Sequence, residues 1–92
     1  GGIVAFTKTL ARETARYGIT ANAVCPGPAD TPLFAQVTAD APKLRESLER
    51  AIPLRRLAQP EDLANAVAFL VSPRTGYVTG QTLSVSGGLT MI

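Results

Sequence analysis

NAVCPGPADTPL, residues 22–33, is the stretch that decides the fold of this 92-residue chain. The apolar run from Ile19 to Cys25 predicts a β-strand, and Pro26-Gly27 ends it abruptly. Nearly every position of the run is apolar or small without strict alternation, which is typical of a parallel strand buried on both faces. Ligands bind at the carboxyl ends of such strands in open α/β sheets. We therefore expect the loop after Cys25 to form the floor of a nucleotide-cofactor site.

Two polar side chains in this stretch have predicted structural roles. A buried Asn22 must find hydrogen-bond partners or cost about 1–3 kcal/mol, so we expect it to tie backbone groups of neighbouring segments together rather than to act in catalysis. Thr31 followed by Pro32 is a favourable start for a short helix, whose free N–H groups would suit a phosphate. An ordinary turn there is the equally weighted alternative, and residues 26–41 are otherwise predicted to be irregular.

Before this stretch, residues 2–17 are predicted to form a helix that ends at Gly18 in a left-handed cap. The face expected to pack in the core carries Ile3, Phe6, Thr7, Leu10, Thr14 and Tyr17. No Ser, Thr, Asp or Asn precedes the first apolar residue, although these are the usual helix caps. The chain is therefore expected to start inside a helix, as the C-terminal piece of a longer protein.

Two further helices are predicted after the loop. The first, from Pro42 to Ile52, is amphipathic, with opposite charges four residues apart at Arg45–Glu49 and Glu46–Arg50. Its narrow apolar stripe fits a movable flap over a site as well as a fixed surface helix. The second opens at Pro60, with acids in its first turn, and ends at Ser72-Pro73. Its core stripe is expected to be Leu63, Ala66, Val67, Leu70 and Val71.

A second strand is predicted from Thr82 to Ser86, where apolar and hydroxyl side chains alternate. Gly87-Gly88 then turns the chain, and the apolar tail Leu89–Ile92 is expected to dock on a neighbouring subunit. The strand–crossover–strand unit should be parallel and right-handed. A sheet of only two strands is too small to bury a strand that is apolar on both faces. The remaining sheet is therefore expected to come from residues before Gly1 or from a partner chain.

Composition argues against several kinds of partner. The chain has nine Lys and Arg residues and seven Asp and Glu residues, which gives a net charge of +2. Because it also contains no basic run, nucleic acid is not an expected partner. No apolar stretch approaches the ~20 residues of a membrane span. The chain has no histidine, so neither a His-based triad nor a metal site is predicted. The single cysteine suits a reducing, cytoplasmic location.

Five motifs, in order, resemble those of the short-chain dehydrogenase/reductase family. Residues 22–27 match its Asn-x-x-x-Pro-Gly, and the same Pro-Gly continues into its Pro-Gly-x-x-x-Thr at Thr31. The later motifs are resembled by Ile52–Arg56 with Pro60–Ala64, by Tyr77–Gln81 and by Val85–Gly88. Residues 1–17 resemble the second part of the long helix that carries the family's Tyr-x-x-x-Lys pair. The match runs nearly end to end, over the C-terminal third of a typical member.

The resemblance implies an α/β fold, namely the C-terminal part of a Rossmann-like, doubly wound parallel sheet in three α/β/α layers, incomplete in this chain. Residues 1–92 would be one part of a single domain, with the N-terminal cofactor-binding half absent and residues 33–52 forming the substrate lid. It implies an NAD or NADP cofactor held by Pro26, Gly27, Pro28, Ala29, Thr31 and Leu33. Backbone groups at Pro28 and Ala29 would hold the nicotinamide carboxamide, and the Thr31 hydroxyl would reach the carboxamide or the pyrophosphate.

An oxidoreductase that interconverts a secondary alcohol and a ketone is the activity that the resemblance implies, in a homotetramer or dimer. The first helix would form one subunit interface, and the last helix and strand another. The apolar lid suits an acyl thioester, an alicyclic alcohol or a steroid, and resemblance to 3-oxoacyl thioester reductases favours the thioester. No residue of the chain is assigned as catalytic, because the family's Tyr and Lys would lie before Gly1. The 92 residues alone are therefore expected to be inactive and not to bind cofactor at micromolar concentration.

Two other interpretations stay open. The chain could be a non-catalytic interaction module or an inert fragment of the same fold, or an unrelated small α/β domain. Ser86 departs from the family pattern, in which Asp is commoner at that place. Gly76 and Gly80 do not replace the family's glycine-rich phosphate loop, because they do not follow a strand.

Overall fold

Four α-helices and two β-strands make up residues 1–91, the part of the chain that the computed structural model describes. The helices are α1 Gly2–Thr14, α2 Pro32–Thr38, α3 Pro42–Ala51 and α4 Pro60–Leu70. The strands are β1 Ala23–Pro26 and β2 Thr82–Val85, and short 3₁₀ turns span Ala15–Tyr17 and Pro73–Thr75. The predicted α/β class is confirmed.

The two strands pair in parallel, from Ala23 opposite Thr82 to Pro26 opposite Val85. The predicted parallel pairing is confirmed, but β1 starts at Ala23 rather than Ile19. The reason lies in Ala21, whose N–H donates to Thr79 Oγ1 at 3.0 Å and whose carbonyl accepts from the Gly80 N–H at 2.7 Å. This part of the run is therefore held by the loop before β2 and joins no strand.

Local chemistry sets the helix ends. Gly18 adopts the predicted left-handed conformation, with φ of +73°, although α1 itself stops at Thr14 and the 3₁₀ turn fills the gap. Thr31 Oγ1 accepts a hydrogen bond from the Phe34 N–H at 3.1 Å, so the predicted start of a helix at Pro32 is confirmed. Residues 32–38 are consequently helical, and the alternative of an ordinary turn there is wrong.

Much of the predicted core is exposed. Ile52 is 1% exposed and Ala11 and Leu57 are buried, but Phe6 and Val71 are 62% and 74% exposed. The exposed members of the predicted stripes are Ile3, Phe6, Leu10, Tyr17, Val67 and Val71. β1 is only half-buried within residues 1–91, and the further strands expected to cover it on both faces stay a prediction. Two four-residue strands offer too little surface to cover both α1 and α4, and the radius of gyration, 15.9 Å, exceeds the ~12 Å of a compact domain of this length.

Of the two opposite-charge pairs predicted along α3, the structure shows one. Arg45 Nε lies 3.1 Å from Glu49 Oε1, one turn further along α3. Within the described residues, Glu46 and Arg50 form no ion pair, although their spacing is the same. The first pair has additional partners outside the helix, which fix the arginine side chain.

The turn after β2 closes against the segment that follows α3. Gly87 and Gly88 have φ of +64° and +95°, which confirms the predicted turn. A Cβ on Gly87 would lie 2.7 Å from Ile52 Cγ2, and the Leu54 N–H donates to the Gly87 carbonyl at 3.0 Å. Beyond the turn, Met91 is exposed, and the predicted docking of the tail extends to Ile92, which lies outside the described residues.

Substitution of Gly87 by Ala should destabilise the protein markedly. The left-handed conformation costs about 1–2 kcal/mol for Ala, and overpacking against Ile52 adds about 1–3 kcal/mol. Gly18→Ala is the matched control, because Gly18 is also left-handed but has no atom within 4 Å of its built Cβ. Urea unfolding should therefore show a larger loss for Gly87→Ala, and equal losses in the two variants would disprove the packing argument.

Candidate cofactor-binding site

The loop at the carboxyl end of β1 begins with a close approach between two backbones. The Gly27 N–H donates to the Val85 carbonyl at 2.9 Å, which extends the pairing of β1 with β2 by one residue. A Cβ on Gly27 would lie 2.8 Å from Ser86 Cβ and 2.9 Å from Ser86 Cα, distances that real Cβ atoms do not adopt. Glycine is therefore required at this position for the loop to leave the sheet where it does.

Residues 52–58, which we call the connector, hold the loop from its other side. The Asp30 N–H donates to the Ala58 carbonyl at 2.7 Å, and the Ala58 N–H donates to the Pro28 carbonyl at 2.9 Å. The connector also contacts the glycine turn after β2, through the Leu54 N–H. The loop is consequently fixed both by the sheet and by the connector, which is the rigidity that a binding site needs.

One backbone donor of the loop is left over. Gly27, Asp30 and Thr31 each donate their N–H within the chain, the last to the Ala29 carbonyl at 3.1 Å, and the two prolines have none to donate. Over residues 1–91, the Ala29 N–H donates no hydrogen bond. Ala29 is half-buried, and its free donor lies in the loop at the carboxyl end of β1, the edge at which open α/β sheets generally bind ligands.

Thr31 and Leu33 extend the site toward α2. Thr31 Oγ1 is the acceptor that caps α2, so its hydroxyl hydrogen remains able to donate to a second partner. Leu33 lies in the first turn of α2 and is 69% exposed. The six predicted cofactor residues thus run from the end of β1 into the first turn of α2.

Asn22 lies at the other end of β1. Its Nδ2 donates to the Val78 carbonyl at 3.2 Å, and its Oδ1 accepts from the Gln81 N–H at 3.0 Å. The predicted role in joining backbone segments is confirmed. Because both amide atoms are engaged at the amino end of the strand, Asn22 takes no part in the loop site.

Ser86 has a structural role. The Thr90 N–H donates to Ser86 Oγ at 3.1 Å, and Ser86 Oγ lies 3.1 Å from the Thr90 carbonyl and from Ser84 Oγ. The hydroxyl therefore closes the glycine turn, a task that needs no carboxylate.

Two ion pairs flank the loop. Asp30 Oδ1 lies 3.2 Å from Arg45 Nη2, and Asp62 Oδ2 lies 2.7 Å from Arg56 Nη1. The Arg56 hydrogen bonds, followed by one from the Gln59 N–H, lower the pKa of Asp62 to about 2. Asp62 in this way joins the connector to the first turn of α4.

The pairing of loop with connector, and of Asp30 with Arg45, was not predicted from the sequence. Both link residues that are far apart in the chain and of ordinary type, so no local pattern marks them. The sequence also did not predict a cleft of about 520 Å³ between the connector and β2. Its lining residues include Leu54, Ser84 and Gly88. None of the six predicted cofactor residues lines it, so the cleft is not part of this site.

Other kinds of site find no support in residues 1–91. No group of three His, Cys, Asp or Glu side chains there could hold a metal ion. None of the helices described is long and apolar enough to cross a membrane.

A parallel strand pair with a glycine-proline loop at its carboxyl end occurs in Rossmann-like folds, and comparison with known proteins identifies the family. A family model described as enoyl-(acyl carrier protein) reductase matches residues 1–90. The chain belongs to the short-chain dehydrogenase/reductase family.

The relatives are considerably longer than this chain. It is 51% identical over 90 residues to an acetoacetyl-CoA reductase of an Acinetobacter species, covering 98% of this chain and 35% of that protein. A crystal structure of a 3-oxoacyl-[acyl-carrier protein] reductase from Brucella melitensis matches with a TM-score of 0.90 and 41% identity, over 99% of this chain and 33% of that one. An actinorhodin polyketide ketoreductase variant with NADPH matches with a TM-score of 0.86 and 41% identity, over 96% of this chain and 37% of that one. The chain therefore spans about a third of the length of the relatives it matches.

Replacement of Gly27 by Ala should weaken the packing of the loop on the sheet. The new methyl group would force Ser86 away, at a cost of about 1–3 kcal/mol. Gly76→Ala serves as the control, since Gly76 has φ of −62° and its nearest contact to a built Cβ is an ordinary 3.6 Å. Urea unfolding should show a loss for Gly27→Ala and little change for the control, and an unaffected Gly27→Ala would contradict the close approach.

Stability should depend on Asp62 in acid. The folded pKa of about 2 lies below the ordinary 3.8, so the contribution of this carboxylate is present above pH 3.8 and is lost as the pH falls toward 2. The stability difference between wild type and Asp62→Asn should therefore shrink between about pH 4 and pH 2. Thermal melts over this range measure it, with Glu61→Gln as the control because Glu61 forms no ion pair within residues 1–91. A difference that stays constant would show that the Arg56–Asp62 pair is absent in solution.

Proposed function

We propose that this chain is the nicotinamide-binding segment of an NAD(P)-dependent oxidoreductase, and that the whole protein interconverts a secondary alcohol and a ketone. The observation that carries the proposal is the free N–H of Ala29 in a rigid loop at the carboxyl end of β1. Membership of the short-chain dehydrogenase/reductase family supports it. The activity, substrate and assembly of the whole protein are part of the proposal, since the chain spans only a third of its relatives.

The loop residues fit the nicotinamide half of the cofactor. The Ala29 N–H would donate to the carboxamide, and the Thr31 hydroxyl to the carboxamide or the pyrophosphate. Pro26, Gly27 and Pro28 would flank the ring with rigid backbone, and Leu33 would add an apolar contact from α2. When bound, the cofactor supplies or accepts a hydride. The protein's task in this segment is to fix the ring so that one face meets the substrate.

NADP(H) is the cofactor we propose, with NAD(H) as the alternative. The support is the similarity to a ketoreductase solved with NADPH. The residue that distinguishes the two cofactors at the ribose lies early in a dinucleotide fold, and the segment described here belongs to its later part. The cofactor pair must therefore be distinguished by titration.

The substrate we propose is a 3-oxoacyl thioester. Residues 33–52 would be the lid, and its apolar side chains Leu33, Val37 and Leu44 are exposed, ready to contact an acyl chain. Similarity to an acetoacetyl-CoA reductase supports the thioester over the steroid or alicyclic alcohol that the same surface could accept. No Tyr-x-x-x-Lys sequence occurs within the 92 residues, so the proton donor would be supplied from outside them.

The exposed apolar stripes of α1 and α4 would be covered in the complete protein. Phe6 and Leu10 on α1, with Val67 and Val71 at α4, are exposed, and apolar side chains exposed together on a helix face commonly mark an interaction surface. We propose that further strands of the same sheet and a second subunit cover them, in a dimer or tetramer. The same surfaces favour the second candidate function, a non-catalytic assembly module.

Removal of the Ala29 donor should weaken cofactor binding. In the protein expressed from its complete gene, Ala29→Pro deletes the N–H and should raise the dissociation constant of NADPH by about 2- to 12-fold, the range for one lost hydrogen bond. Ala29→Ser keeps the N–H and should bind like wild type. Fluorescence titration with NADPH and NADH measures both, after circular dichroism has verified folding.

Turnover tests the substrate class in the same preparation. Acetoacetyl-CoA should be reduced faster than a 3-oxosteroid, as followed by loss of nicotinamide absorbance. Cofactor binding without turnover of either ketone would contradict the proposed activity. Absence of binding to both cofactors would instead favour the assembly module.

A further inference from the structure

We propose that Arg45 is a positioning residue that holds the lid on the cofactor loop through Asp30. This inference rests on the proposed function, because it assigns the lid and the loop to one site. It adds a residue and a physical mechanism, namely that an ion pair sets how closely α2 and α3 lie against the loop.

Arg45, on α3, contacts two other elements as well as its own helix. Its Nη2 lies 3.2 Å from Asp30 Oδ1 in the loop, and its Nε lies 3.1 Å from Glu49 Oε1 on α3. Its guanidinium carbon lies 5.7 Å from the centre of the Phe34 ring on α2, within the range of a cation–π contact. A single side chain therefore joins both lid helices to the loop.

Asp30 is a fixed anchor for this contact. Its backbone N–H is bound to the Ala58 carbonyl, and its second carboxylate oxygen lies 3.4 Å from Gln59 Nε2. Ala58 of the connector and the adjacent Gln59 thus hold Asp30 on one side, while Arg45 contacts it from α3. Because Asp30 directly follows Ala29, the lid is attached one residue away from the free N–H.

No other polar contact joins α3 to residues 26–31 in the described part of the chain. The exposed apolar side chains of the lid, Leu33, Val37 and Leu44, do not pack on the loop strongly enough to be buried. We therefore expect the distance between α3 and the loop to depend on this pair. The two side chains are 33% and 35% exposed, so the attraction is partly screened and can be broken and re-formed as the lid moves.

Loss of the Asp30–Arg45 pair should loosen the lid and weaken substrate binding. The affinity for the cofactor should change less. Hydrogen–deuterium exchange of residues 32–51 should accelerate by about 2- to 5-fold in Arg45→Gln and in Asp30→Asn, as expected for an exposed ion pair. The KM for the ketone should rise by a similar factor, while the NADPH dissociation constant of Arg45→Gln changes by less than about twofold. High salt should bring the wild-type KM toward that of Arg45→Gln, because it screens the same pair.

Matched variants distinguish the contact of Arg45 with the loop from its contact within α3. Glu49→Gln removes the pair within α3 but leaves Asp30–Arg45 intact, and Arg50→Gln removes a nearby arginine that does not touch the loop. Both should leave the salt dependence of KM and the exchange of residues 32–38 unchanged. Exchange of the two charges, Asp30→Arg with Arg45→Asp, should restore slow exchange and a lower KM relative to either single charge reversal.

The proposal is overturned if Arg45→Gln behaves like wild type in exchange and in KM, or if exchange accelerates while KM does not change. It is also overturned if Glu49→Gln matches Arg45→Gln in every measurement. Failure of the proposed function is a different result, namely no cofactor binding by the wild-type protein. The exchange experiment on cofactor-free protein then still reports whether the ion pair holds α2 and α3.

Discussion

The close approach of Gly27 to Ser86 is the constraint on which the rest of the structure depends. It allows β1 and β2 to stay paired up to their carboxyl ends and to separate there within one residue. The loop that leaves β1 and the turn that leaves β2 then start side by side. The connector fits between them, bonded to the loop at Ala58 and to the turn at Leu54. A larger residue at position 27 would separate the strand ends and leave the connector without its two partners.

This arrangement determines which backbone donor of the loop is free to bind a ligand. Once Gly27, Asp30 and Thr31 have donated their N–H groups within the chain, Ala29 is left with a free donor on a backbone that cannot easily move. Preorganised donors of this kind bind a polar ligand group at little cost in entropy. The ion pair from Asp30 to Arg45 then extends the same rigidity to the lid, in a weaker and more reversible form.

Local sequence chemistry predicted the features that a few neighbouring residues determine. Thr31-Pro32 predicted the start of α2, Gly18 the left-handed cap, and Asn22 the link between backbone segments, because in each case one side chain or its absence decides the geometry. The loop after β1 was predicted for the same reason, from the prolines and the glycine at residues 26–28, while its binding of a cofactor stays a proposal. The roles of its residues came from the family resemblance and stay predictions.

Burial and long-range contacts could not be predicted in the same way. Phe6 and Val71 lie on apolar stripes that periodicity marks as core, yet burial depends on the surface available to cover them, and residues 1–91 offer too little. The bridge from Ala29 to Ala58 and the pair from Asp30 to Arg45 involve residues with no distinctive local pattern. Their positions follow from how the connector and α3 return to the sheet, which only the folded chain reveals.

The central claim, that the Ala29 N–H holds the nicotinamide, is tested most directly by NMR on the complete protein labelled with ¹⁵N. Titration with NADPH should move the Ala29 amide resonance downfield as it gains a hydrogen bond. The Gly27 and Asp30 amides, whose partners are already in the chain, should move much less. Saturation with cofactor that leaves the Ala29 resonance in place would contradict the account.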